Sequence, residues 1–147
     1  MNWYKENGEE WKQIIETVSA ETGKSVQMIE KDTVQSLFLR ELAKTEIPFV
    51  FKGGTSLSKV YGIIDRFSED IDLSCSRALS QSERKSTKSH IISIGGDLGL
   101  ALENPQNVFS NHDYNKYVFG YKSLFAPGAE VIVETSYYLP QFPLEEF

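Results

Sequence analysis

Between residues 47 and 73 the sequence changes its periodicity repeatedly, and this stretch constrains the fold more than any other. Ile47-Pro48-Phe49-Val50-Phe51-Lys52 is a short apolar run rich in Phe and Val. Gly53-Gly54-Thr55-Ser56 follows at once, and Leu57, Val60 and Tyr61 then recur at helical spacing. That order reads as strand, glycine turn, helix. Asp70 to Ser74 reads as a second strand, in which Asp70 and Asp72 share one face while Ile71 and Leu73 point into a core.

The flanking segments supply the layers for such a strand. Trp11, Ile14, Ile15 and Val18 recur at three- and four-residue spacings, which predicts an amphipathic helix over Glu9 to Glu21, stopped at Gly23. A second helix is expected from about Ser25 to Lys44, burying Ile29, Val34, Leu37, Phe38 and Leu42. Ser80-Gln81-Ser82-Glu83 has the form of a capping box that opens a helix toward Ile94, with Gly95, Gly96 and Gly99 expected to break it. Tyr114 to Phe125 and Glu130 to Tyr138 alternate apolar with polar residues around Pro127-Gly128, which predicts an antiparallel hairpin. The fold class expected is α/β (α+β), a mixed sheet flanked by helices. Residues 1–147 are expected to form a single domain, with N-terminal helices over about 9–44 and a sheet region over about 47–138.

The chemistry is concentrated in the acids. Asp70 and Asp72, two residues apart on a strand, present both carboxylates to one site, with Cα atoms roughly 6.5–7 Å apart. Carboxylate oxygens are the ligands that hard cations such as Mg²⁺ prefer, and paired Mg²⁺ ions sit about 3.5–4 Å apart in two-metal phosphoryl-transfer sites. Glu134 is the polar interruption of Val131-Ile132-Val133-Glu134-Thr135, and a neighbouring strand would deliver it as a third metal ligand. Gly53 and Gly54 let backbone approach an anion, and the helix after them aims its free N–H groups at phosphate, with Thr55 or Ser56 adding a hydroxyl.

Other residues have ordinary readings. Cys75 alone forms no internal disulfide and reads as a small buried residue, which fits a reducing, cytoplasmic setting. Arg77, Arg84, Lys85 and Lys88 read as a solvated helix face, and His90 and His112 lack the spacing of a zinc site. Tyr114, Tyr117 and Tyr121 read as strand packing. The net charge of −6 argues against a general electrostatic affinity for nucleic acid, so a polyanionic substrate calls for metal ions or a local basic patch. No apolar run approaches the roughly 20 residues needed to span a bilayer, so no membrane partner is expected.

Together, Lys52-Gly53-Gly54-Thr55-Ser56-Leu57-Ser58-Lys59-Val60-Tyr61-Gly62 and Arg66-Phe67-Ser68-Glu69-Asp70-Ile71-Asp72-Leu73 resemble the signature of the AbiEii/AbiGii toxin nucleotidyltransferases, within the polymerase-beta-like superfamily. The resemblance extends over about residues 25 to 138 and is strongest over 52–73. It implies that the glycine turn grips a nucleoside triphosphate and that the Asp-x-Asp pair binds two Mg²⁺ ions. It also implies a third acid on a later strand, where Glu134 falls. Thr55, Ser56, Lys59, Arg66 and Ser68 are expected at the nucleotide, although the default for Lys59 is to face solvent and the commoner role for Arg66 is to pair with a nearby acid.

For the whole protein the resemblance implies transfer of a nucleoside monophosphate from an NTP to RNA, notably the tRNA 3′ end. It further implies a toxin countered by a separately encoded antitoxin, and a helical C-terminal lobe following the sheet region. Two other readings stand beside it: a nucleotide- or antitoxin-binding module without that lobe, and a kinase-like phosphotransferase on the same fold.

Overall fold

The computed structural model describes residues 3–52, 70–105 and 114–137, with backbone alone at 3–5 and 51–52. Its elements run α1 (Trp3–Thr22), α2 (Val26–Ala43), β1 (Phe49–Lys52), β2 (Asp70–Cys75), α3 (Gln81–Asp97), β3 (Ala101–Leu102), β4 (Tyr114–Tyr121) and β5 (Ala129–Ser136). The strands form one mixed sheet in the order β1-β2-β5-β4-β3. β2 and β5 pair in parallel, and every other neighbouring pair is antiparallel. The α/β class and the helix-flanked mixed sheet are those expected from the sequence.

Alternation over the first part of β2 and the middle of β4 and β5 sorts the side chains by face, before each strand ends in a run of buried residues. Ile71, Leu73, Tyr117, Phe119, Val131 and Val133 are buried beneath Ile15 of α1, Val34 and Phe38 of α2, and Ile91 and Ile94 of α3. Each such side chain contributes roughly 1.5–3 kcal/mol by leaving water. The Phe38 and Phe119 rings meet at 5.7 Å between centroids, which ties α2 to β4. α2 begins at an N-cap, where Ser25 accepts a hydrogen bond from the Met28 N–H. Glu30, also on α2, is buried: its carboxylate accepts from the Ser123 hydroxyl and, at 2.8 Å, from the Leu124 N–H. This contact pins the β4–β5 connection to α2 and ends β4 at Tyr121, four residues short of the expected Phe125.

Four sequence expectations are corrected. α1 starts at Trp3 rather than Glu9, and its Ile14 is 52% exposed instead of buried. The capping box at Ser80 and Glu83 is present, but α3 continues through Gly95 and Gly96 to Asp97. Gly95 serves packing: a Cβ there would lie 2.3 Å from Cε1 of Phe119, so the missing side chain lets the helix sit down on β4. Gly99, at φ 80°, is the residue that redirects the chain into β3. Cys75 is the buried last residue of β2, not a residue after it.

Candidate active site on the open sheet face

The face opposite the helices carries the acids, and strand register determines which ones meet. Asp72 is paired with Glu134 across the parallel β2–β5 ladder, and Asp70 lies two residues before Asp72, opposite Ile132. Because the side-chain period in a strand is two, Asp70, Asp72 and Glu134 all project from one face. Strand spacing separates Asp72 and Glu134 backbones by about 4.8 Å. Each acid is partly exposed, while their neighbours Ile71, Leu73 and Val133 are buried on the opposite face. The row continues outward on both sides: Lys52 of β1 is in register with Asp72, and Lys116 of β4 with Glu134.

Tyr114, one register step away opposite Ser136, is a further member of this face, which its place in the sequence does not set apart from packing aromatics. Its hydroxyl bonds the Glu134 carboxylate. Burial pushes the phenol up to about 12, helped by the Glu134 hydrogen bond and by the charges of Glu134, Asp72 and Asp70. Tyr117 and Tyr121 are buried in the core, as expected for packing residues.

Among the described residues, no three His, Cys, Asp or Glu side chains converge as metal ligands do. The backbone row and the side-chain directions therefore differ in what they bring together. The Glu134 carboxylate meets the Tyr114 hydroxyl. The donor set nonetheless suits a hard cation: three carboxylates on adjacent strand positions, each able to redirect its oxygens by rotamer change without backbone movement. Among the described residues of this face, Asp70, Asp72 and Glu134 carry the oxygen donors that a hard cation such as Mg²⁺ would take.

Gly53, Gly54, Thr55, Ser56, Lys59, Arg66, Ser68 and His112 lie outside the described residues. β1 ends at Lys52, in register with Asp72, and β2 begins at Asp70.

The remaining candidates have structural roles. Arg77 pairs with Glu83 at 2.8 Å, and the Arg84 guanidinium lies 4.8 Å above the Tyr137 ring. His90 Nδ1 is 2.7 Å from the Ser86 carbonyl oxygen. Burial raises the Cys75 thiol, as expected of a packed, unreactive cysteine. A cleft of about 490 Å³ between the end of α2 and α3 is lined by Thr45, Pro48, Leu79, Thr87 and His90 among others, and none of the three acids borders it.

The fold has a counterpart among solved structures. A crystal structure of an H. pylori protein described as a candidate nucleotidyltransferase superposes with a TM-score of 0.59 at 23% identity, covering 80% of this chain. At that identity the likeness speaks for the fold, and the chain spans 49% of the neighbour's length. No match was found among curated proteins. Residues 37–143, more than half of the chain, match the family described as nucleotidyl transferase AbiEii toxin, type IV toxin–antitoxin system. The protein therefore belongs to the AbiEii family of nucleotidyltransferase toxins.

Proposed function

We propose that the acid-bearing sheet face is a Mg²⁺-dependent nucleotidyl-transfer site, with Asp70, Asp72 and Glu134 as metal ligands. The observation that carries this reading is the parallel register of Asp72 with Glu134, with Asp70 on the same face two residues earlier. Bound Mg²⁺ would supply the positive charge that offsets charge building up on the transferring phosphoryl group. In this reading Gly53 and Gly54 receive the triphosphate, with Thr55, Ser56, Lys59, Arg66 and Ser68 around it, as the resemblance of residues 52–73 implies. The acceptor hydroxyl attacks the α-phosphorus and forms the new P–O bond, the α–β anhydride bond breaks, and pyrophosphate leaves. The hydroxyl proton passes to solvent or to a carboxylate of the row.

The acceptor in this reading is RNA, with the tRNA 3′ end first among candidates, and the protein acts in the cytoplasm as a toxin held in check by an antitoxin. Family membership supports the toxin role, and the signature at residues 52–73 supports the nucleotide. Residues 1–147 form one nucleotidyltransferase core domain.

The test is incorporation of α-labelled NTPs into total tRNA in the presence of Mg²⁺. Wild-type protein should label RNA and release pyrophosphate, and Asp72→Asn should reduce labelling by at least about 100-fold, the scale of losing one charge-stabilising contact in a transition state. Release of nucleoside diphosphate would identify a phosphotransferase instead. Undiminished labelling by the variant would overturn the assignment of Asp72.

A further inference from the structure

The acid pair occupies the middle of a four-strand row. Read across β1, β2, β5 and β4, the paired positions are Lys52, Asp72, Glu134 and Lys116, so a cation position flanks the two acids on each side. Lys116 is exposed, on the acid face, and directly opposite Glu134. An oppositely charged cross-strand pair in that position ordinarily stabilises a sheet by forming a contact. Here it does not: Glu134 takes the Tyr114 hydroxyl, and among the described residues Lys116 makes no ion pair.

The backbone beneath this side chain is fixed from both directions. β5 pairs it on one side, and on the other Asn104 stands in for a missing strand, its amide donating to the Lys116 carbonyl at 2.8 Å and its oxygen accepting from the Val118 N–H at 2.9 Å. Glu103 completes the edge by donating its N–H to the Val118 carbonyl. A flexible ammonium is thus mounted on an immobilised strand position, one strand spacing of about 4.8 Å from a metal-ligating carboxylate. In a chain of net charge −6, a cation at that place has a use where a polyphosphate must come to rest beside acids.

We infer that Lys116 binds a phosphate group of the reactants at the β4 end of the acid row. The inference rests on the nucleotidyl-transfer reading above. Phosphate reaches such a site from two sources, the incoming NTP and the backbone of the RNA acceptor, and lysine meets either as a point charge.

The test measures dissociation constants of the full chain for each of the four NTPs with Mg²⁺ and no RNA, and separately for total tRNA without NTP. Wild type, Lys116→Met and Lys116→Arg are compared. Loss of one charged contact predicts that Lys116→Met weakens one of the two ligands by about 10-fold or more, with Lys116→Arg staying within about threefold of wild type. The weakened ligand identifies the source of the phosphate. Dissociation constants for both ligands unchanged in Lys116→Met would overturn the inference and leave the parent reading standing, as would an arginine variant as weak as the methionine one. Failure of wild type to bind either ligand would overturn the parent reading, and Lys116 with it.

Discussion

The two faces of the central sheet are made by the same strands and differ in nearly every physical respect. On β2, Ile71 and Leu73 are fully buried under the helices, while Asp70 and Asp72 keep access to water. On β5, Val131 and Val133 repeat the first pattern and Glu134 the second. The helix face holds the molecule together, and the open face accepts several like charges that a core could not tolerate. Over residues 70–73 and 131–134 the period of two separates buried from water-accessible positions, so on the proposed reading a substitution there should disturb stability or chemistry according to parity.

The most severe separation is expected at adjacent residues. Asp72→Asn should cost at least about 100-fold in transfer, while its unfolding free energy in urea stays within about 0.5 kcal/mol of wild type. A large fall in stability in this variant would break the claim that the open face is independent of the core. Leu73→Ala is the converse: about 2–5 kcal/mol of stability should be lost, read from the urea midpoint, with KM in the folded fraction unchanged.

Smaller effects sharpen where the helix face is tightest. Gly95→Ala should destabilise by about 1–3 kcal/mol, because its Cβ would fall against Phe119, even though alanine is intrinsically the better helix former. Neutral behaviour at Gly95 would show that α3 can shift away from β4 without loss. The smallest effect belongs to the surface. Arg77, with the Ser80 backbone N–H, holds the exposed Glu83 carboxyl down from 4.5 to about 2. A depressed folded-state value means that its contribution is present above about pH 4.5 and fades as pH falls toward 2. Glu83→Ala should therefore lie slightly below wild type in thermal midpoint at pH 7 and converge with it near pH 2.

Much of this was legible because it is local. The Asp-x-Asp strand, the polar break at Glu134 and the capping box at Ser80 each depend on residues within a few positions of one another. That a strand bearing Glu134 neighbours the Asp-x-Asp strand was expected, but the parallel sense of β2 and β5, some sixty residues apart, and the register that sets Asp72 opposite Glu134 and not opposite Ile132 were not legible. Lys116 and Tyr114 were missed for that reason, since their significance comes entirely from register. The burial of Glu30 was not legible either, because its partners at Ser123 and Leu124 lie more than ninety residues away. Gly95 resembled a helix breaker because the Phe119 ring that explains it lies on another element.

The central claim is that the open face binds nucleotide through metal held by its acids. The most direct measurement is calorimetric titration with a non-hydrolysable α,β-methylene NTP, with and without Mg²⁺, for wild type and an Asp70→Asn, Asp72→Asn double variant. The account predicts saturable binding to wild type that requires Mg²⁺ and disappears in the double variant while its fold is retained. Equal binding by both proteins, or binding indifferent to Mg²⁺, would contradict it.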